Sequence, residues 1–251
     1  GERVMAELTA NAPAMDRSQP RFFFWAAVAC VGIAFGGFTP TYFLPIATDS
    51  LRDVSFAVHI HGVLFFGWTL LFLLQFALIG RGNRSLHRTL GMVGISWATA
   101  MVIFGLLVNL LATAKRFAAG DEQLAYHFTL GGGGAMIAFG ALFALAVANV
   151  RRPDWHKRLM LIATTAILGA ATARLWLPVF NFEPVPTWLS RTTQDLPILA
   201  LFVYDWRTLG KPHFVTAVFG GAMILLHLIH IPVASTEAFQ SVARLWMSLA
   251  G

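Results

Sequence analysis

The fold is decided by residues 54–79, which read VSFAVHIHGVLFFGWTLLFLLQFALI and contain no acidic residue, lysine or arginine. A helix needs about 20 mainly apolar residues to cross the hydrocarbon core of a bilayer, so this run predicts a transmembrane helix. The whole chain has the same character. Of its 251 residues, 57% are hydrophobic and 12% are charged, whereas a soluble domain has about 25% charged residues. The sequence therefore predicts an integral membrane protein that is embedded in the lipid bilayer.

Six further apolar runs predict an all-α bundle of about seven transmembrane helices, forming a single domain over residues 1–251. These runs are residues 22–47, 89–112, 124–150, 159–180, 189–206 and 214–233. The sixth span, 189–206, is the least apolar because Arg191 and Asp195 lie near its start. Residues 236–250 predict a short amphipathic helix in the membrane interface, with Phe239, Val242 and Leu245 or Trp246 on its apolar side.

The lysines and arginines predict the orientation. Twelve of the 18 lie in the N-terminal segment and after the second, fourth and sixth spans: Arg3, Arg17, Arg21, Arg81, Arg84, Arg88, Arg151, Arg152, Lys157, Arg158, Arg207 and Lys211. We call this the basic end. The opposite end has Arg52, Lys115, Arg116, Arg191 and Arg244. The positive-inside rule then predicts that the basic end is cytoplasmic, with the N-terminus inside and the C-terminus outside. The net charge of +6 thus reflects orientation, and we expect no nucleic-acid partner.

The histidines predict the site. Five lie opposite the basic end, at what we call the histidine end, and three lie at the basic end: His59, His61, His127, His227 and His230, then His87, His156 and His213. If the four helices of residues 54–180 form a bundle, His61 faces His127 and His87 faces His156. Axial ligation of haem b needs one imidazole from each of two facing helices. The pattern predicts one or two b-type haems, with His61 and His127 as the first choice of ligands.

Two other residues fit this prediction. Gly131 lies four residues after His127 and so shares its helix face, where a missing side chain would make room for a porphyrin. Small residues also serve helix–helix contact, so that interpretation stays open. Arg174 lies inside the fifth span, where a charge indicates function. It is placed to pair with a haem propionate or an anionic substrate, or else to reach the interface. We expect Asp205 to pair with Arg207 or to cap the turn.

Four stretches resemble known families: HIHGVLFFGW at 59–68, SLHRTLG at 85–91, RPDWHKRLM at 152–160 and ARLWLP at 173–178. Together they resemble an uncharacterised bacterial membrane family, domain of unknown function 2306, which implies a membrane bundle without an established reaction. With the predicted orientation, this resemblance implies a location in the bacterial inner membrane, with a periplasmic C-terminus. The stretch at 85–91 is also similar to a motif of the cytochrome b561 family, which holds two haems between four helices. That resemblance implies that His61, His87, His127 and His156 are haem ligands and that the protein transfers electrons.

Three functions are compatible with these patterns. The first is a haem-b cytochrome, or a haem-binding accessory subunit that associates with other subunits of a membrane redox complex. The second is a membrane scaffold or assembly factor without a cofactor. The third is a zinc-dependent hydrolase resembling the seven-helix ceramidases, with its metal ligands drawn from His59, His61, His127, His227 and His230. For this third function we find no acidic residue within a span at the histidine end. The single cysteine, Cys30, excludes an intrachain disulfide and a thiolate-ligated metal cluster.

Overall fold

The computed structural model describes residues 18–51 and 54–250, so Arg3, Arg17 and Arg52 of the charge pattern lie outside the described residues. Within these ranges the chain is helical, with turns between the helices and one longer non-helical connection over residues 176–186. The helices are α1 Ser18–Phe38, α2 Leu44–Ala47, α3 Phe56–Gly80, α4 Arg84–Ala118, α5 Glu122–Phe128, α6 Gly134–Ala148, α7 Pro153–Ala166, α8 Gly169–Leu175, α9 Thr187–Leu209, α10 Gly221–Ala234 and α11 Glu237–Met247. Three π-helical segments join them, at Thr39–Phe43, Thr129–Gly133 and Thr216–Gly220.

The prediction of an all-α, multi-pass membrane protein is confirmed. Five helical stretches of the described chain are long and apolar enough to span a bilayer: Arg21–Ala47, Phe56–Gly80, Arg84–Ala118, Glu122–Ala148 and Thr216–Ala234. The pair α7 and α8, bent by 54°, is a sixth if it forms one span. The outside of the bundle is apolar, since Phe56, Met92 and Leu228 are 77%, 68% and 73% exposed. The predicted number of seven therefore depends on α9, which is long but polar, and the orientation of the termini stays a prediction.

Large aromatic side chains fill the middle of the bundle. Trp68, Phe72 and Phe139 are at most 2% exposed. The rings of Trp68 and Phe139 meet edge to face at 5.2 Å, and the Trp68 indole N–H donates to Thr164 at 3.3 Å. Through these contacts α3, α6 and α7 surround one core, and α4 packs on both α3 and α6.

The polar helix α9 is held in the bundle by a buried ion pair. Arg158 of α7 is 2% exposed and Asp205 of α9 is fully buried. The Arg158 Nε–H donates to the two Asp205 oxygens at 3.0 and 3.3 Å. Asp205 also accepts from the Thr216 hydroxyl and, at 3.1 Å, from the backbone N–H of His213. Burial and the nearby Arg158 lower the pKa of His213, which favours a neutral ring beside the ion pair. The prediction that Asp205 pairs with Arg207 is wrong, whereas the alternative, that Asp205 caps the turn, agrees with its bond from the His213 backbone N–H.

The break between α7 and α8 is stabilised by a second polar side chain of α9. A helix broken inside a membrane leaves carbonyl groups without their intrahelical partners. Gln194, 1% exposed, donates through Nε2 to the carbonyl oxygens of Thr165 and Ala166, at 3.2 and 3.0 Å. This is why the predicted single span over 159–180 is a bent pair.

The C-terminal helix α11 packs on the histidine end of the bundle. Ala243 and Met247 are buried against Ala125 and Tyr126, and Phe239 and Trp246 pack beside them. In contrast, Val242 and Leu245 are 63% and 69% exposed. The residues of the predicted apolar side thus divide into two groups: Phe239 and Trp246 pack on the bundle, and Val242 and Leu245 point outward. The position of α11 in a membrane interface stays a prediction.

We predict that Asp205→Asn strongly destabilises the protein, because it leaves the Arg158 charge buried without a carboxylate. Breaking a buried pair from one side costs about 3–5 kcal/mol. The control is Asp154→Asn, whose side chain is 62% exposed and pairs with Lys157 at 2.6 Å, because an exposed pair contributes only about 0–1 kcal/mol. Thermal unfolding in detergent measures both. Equal shifts in melting temperature for the two variants would contradict the structural role of the ion pair.

A second prediction concerns the contact between α1 and α8. A Cβ atom on Gly37 would overlap the backbone carbonyl of Ala171, whereas a Cβ on Gly32 of the same helix meets nothing within 4 Å. Gly37→Ala should therefore destabilise the protein by about 1–3 kcal/mol, as overpacking does. Gly32→Ala should be neutral or slightly stabilising because alanine favours helix. The same unfolding assay compares them, and a harmless Gly37→Ala would contradict this close packing.

Candidate functional site

The histidine end contains a cluster of buried polar side chains from α5, α9 and α10. The rings of His127 and His230 lie 5.8 Å apart, and His230 Nε2 lies 3.1 Å from the backbone oxygen of His127. Oδ1 of Asp195 lies 2.7 Å from Nδ1 of His227, and both of these side chains are 8% exposed. His227 and His230, three residues apart on α10, share a helix face. This cluster therefore joins three histidines and one carboxylate across three helices.

The glycine run at 131–134 lets polar side chains approach the backbone. A Cβ on Gly131 would lie 3.2 Å from both Arg191 Nη2 and His230 Nε2, and a Cβ on Gly132 would lie 2.6 Å from the amide nitrogen of Asn109. That amide donates to the Phe128 carbonyl at 2.9 Å. The run includes a π-helical segment, a feature frequent at functional sites. Arg191 and His230 occupy the space beside Gly131 that the sequence analysis assigned to a porphyrin.

A narrow cleft lies beside this cluster, between α6 and α10. Its volume is about 100 Å³, its apolar walls include Ala138, Met223 and Ile229, and its polar lining is Arg191, His227 and His230. Sites for drug-sized ligands measure about 300–1,000 Å³, so this cleft does not admit a haem. Nδ1 of His230 has no hydrogen-bond partner among the described residues. A buried polar atom left in this state costs about 1–3 kcal/mol.

The other two histidines of this end have separate surroundings. His61 stacks on Phe65 at 4.0 Å, and its Nδ1 is buried without a partner among the described residues. It lies within electrostatic range of Arg174, as the sequence analysis expected of an outer site. His59 instead bonds to the Tyr42 hydroxyl at 2.7 Å.

Within the described residues no ring contact or hydrogen bond joins His61 to His127. His127 contacts His230 and lies 3.0 Å from the Gln123 amide. Arg174 donates to the Ala170 carbonyl at 2.9 Å and lies 4.7 Å above the Phe38 ring. The first-choice ligand pair is thus not brought into contact, and its role stays a prediction.

At the basic end His87 and His156 lie within electrostatic range of each other, and no hydrogen bond or ring contact joins the two rings among the described residues. Nδ1 of His156, on α7, lies 2.8 Å from the Ala146 carbonyl of α6. Nδ1 of His87, on α4, lies 2.6 Å from the side-chain amide of Gln75 on α3. All four helices of the predicted core therefore contribute to this pair, and each ring is oriented through its Nδ1 atom.

Sequence reasoning missed three residues that shape these sites. Asp195 and Arg191 were interpreted only as charges that weaken the sixth span, although buried Asp195 is an acidic side chain at the histidine end. Gln75 had a usable signal, because it is the one amide in the apolar run 54–79. For the zinc alternative, the described part of the chain has no group of three histidine, cysteine, aspartate or glutamate side chains arranged to hold a metal ion.

Comparison with known proteins adds no relative: no family model matches the chain, and no curated protein or solved structure matches it. The resemblances to the two membrane families therefore depend on the short motifs alone.

Proposed function

We propose that this protein is a membrane cytochrome that binds one haem b at its basic end, with His87 and His156 as axial ligands. The observation that carries the proposal is that these two imidazoles, on two different helices at the same end of the bundle, each have an Nδ1 atom bonded to a neighbouring helix. Histidines that ligate a metal commonly donate their other ring N–H to a carbonyl or carboxylate, which fixes the tautomer and the ring orientation. The Ala146 carbonyl has this relation to His156.

The surroundings of His87 place a condition on this role. The Gln75 amide satisfies its neighbours when its nitrogen donates to Nδ1 of His87 at 2.6 Å and to the His87 backbone oxygen at 3.2 Å, while its oxygen accepts from the Gly91 backbone N–H at 3.1 Å. That orientation leaves the ring proton on Nε2. With iron bound, the amide would turn so that its oxygen accepts from an Nδ1–H group, at the cost of the bonds to Gly91 and to the His87 carbonyl, and Nε2 would have a free lone pair for the iron. Amide orientation is an assignment based on the surrounding hydrogen bonds, and both orientations occupy the same space.

The histidine end supports a haem less well. Its cleft is small, the space beside Gly131 is filled by Arg191 and His230, and His61 and His127 have different neighbours. For this reason the proposal has one haem rather than two. A haem held by two imidazoles is six-coordinate and passes single electrons by cycling its iron between two oxidation states. The chain's own contribution would be to orient the ligands, and Arg84, Arg88 and Arg152, exposed at the same end, would supply positive charge to offset the propionates.

We predict that the purified protein, produced in cells supplied with a haem precursor, has a Soret band and about one haem per chain. His87→Ala and His156→Ala should each abolish the low-spin spectrum, because each removes an axial ligand. His59→Ala is the control, since His59 bonds to Tyr42 at the other end, and it should keep the band. If His127→Ala loses the haem and the His87 and His156 variants keep it, the haem binds at the histidine end and the proposal is wrong. A protein without any Soret band would sink the proposal and favour the cofactor-free scaffold.

We also predict that Gln75 tunes the bound haem. Gln75→Leu should weaken haem binding about 10–100-fold, the usual effect of removing a partner of a metal ligand. Gln75→Glu should keep the haem and lower its midpoint potential, since a carboxylate on Nδ1 makes the imidazole a stronger donor. Redox titration followed at the Soret band measures the potential. An unchanged potential in Gln75→Glu would show that Gln75 does not contact the ligand.

A further inference from the structure

The cleft at the histidine end has the shape of a groove for one hydrocarbon chain. Gly131, Gly134, Ala135 and Ala138 line one wall, and their spacing of three and four residues keeps them on one helix face. From Gly131 to Ala138 the wall is about 10 Å long at 1.5 Å per residue. Leu226, on the opposite wall, is 50% exposed at the apolar surface of the bundle. The groove is therefore open to the lipid-facing side.

At its polar end the groove has two side chains, Arg191 and His230. The Arg191 guanidinium can only donate hydrogen bonds, whereas the His230 ring has a nitrogen that needs a hydrogen-bond donor. The Arg191 guanidinium donates through Nη1 to Gln194 at 2.9 Å, and among the described residues no carboxylate lies within ion-pair distance of it. The nearby carboxylate of Asp195 is engaged by His227. Arg191 thus lines the groove with a half-buried positive charge that has no ion-pair partner there.

His230 supplies the complementary group. It is 8% exposed and lines the groove. Its Nε2 lies 3.1 Å from the His127 carbonyl oxygen, which can only accept, so the ring proton is on Nε2. In the neutral ring the other nitrogen is then an acceptor. This Nδ1 is buried and has no partner among the described residues, so a ligand in the groove reaches it only when the His230 ring shifts. A ligand that satisfies both residues must donate to His230 and accept from Arg191.

We propose that this groove binds a single-chain fatty acid, with its carboxyl group between Arg191 and His230 and its tail along Ala135 and Ala138. A single carboxyl group supplies both contacts: its O–H group donates to His230, and its carbonyl oxygen accepts from Arg191. If the proton moves to His230 Nδ1, the carboxylate accepts charge-assisted bonds from both side chains. A volume of about 100 Å³ matches part of one acyl chain and is too small for a two-chain phospholipid. The proposal does not depend on the haem.

The test is native mass spectrometry of the delipidated, detergent-purified protein titrated with palmitic acid, methyl palmitate or an isoprenoid quinone. We expect one palmitic acid per chain, bound at least tenfold more tightly than its methyl ester, which accepts but cannot donate. Arg191→Leu and His230→Phe should each weaken binding at least tenfold, because each removes one of the two polar contacts. Comparable binding of the ester, preferential binding of the quinone or absence of palmitate binding would overturn the proposal.

A pair of variants in α6 keeps the test independent of the polar cluster. Ala138→Phe fills the groove and should weaken palmitate binding at least tenfold, whereas Ala141→Phe, at an exposed position of the same helix, should bind like the parent. The Soret band of all these variants should match that of the parent, so failure of this proposal and failure of the haem proposal are distinguishable. Equal binding by the two phenylalanine variants would place palmitate outside the groove and overturn the assignment.

Discussion

The buried ion pair between Arg158 and Asp205 is the interaction on which the rest of the bundle depends. It joins α7, α9 and the π-helical segment before α10, because Asp205 also binds Thr216 and the backbone of His213. A carboxylate at this depth is stable only when charge and hydrogen bonds both compensate it. Without this pair, the burial of α9 in the bundle would be weakly favoured, because its other residues are the least apolar of the long helices.

Fixing α9 at the basic end also determines the histidine end. Residues 191 and 205 lie about 21 Å apart along one helix, so anchoring Asp205 brings Arg191, Gln194 and Asp195 to the opposite end of the bundle. There Gln194 bonds to the carbonyls at the α7–α8 break, and Asp195 bonds to His227. The most polar helix therefore builds both the support for the broken helix and the lining of the cleft.

The sequence predicts the helices well because the bilayer imposes their length and composition. The run 54–79 is found as Phe56–Gly80, and 124–150 as Glu122–Ala148. The depth of the histidines follows for the same reason, since they border the apolar runs. The sequence does not predict which way each helix faces, and for that reason the contact of His127 with His230 was not foreseen. The partner of Asp205 was missed because a neighbour two residues away was preferred to Arg158, 47 residues away.

The aromatic core separates the two ends of the bundle. Trp68, Phe72 and Phe139 are almost fully buried between them, and the one polar contact at that depth in which they take part is the Trp68 bond to Thr164. Unpaired polar groups are most costly where water is excluded, so titratable side chains collect near the ends. A haem placed between the two ends would have to displace this packed layer, and large rings once removed leave costly cavities. The same layer separates the anchored imidazoles of the basic end from the cleft beside Arg191 at the histidine end.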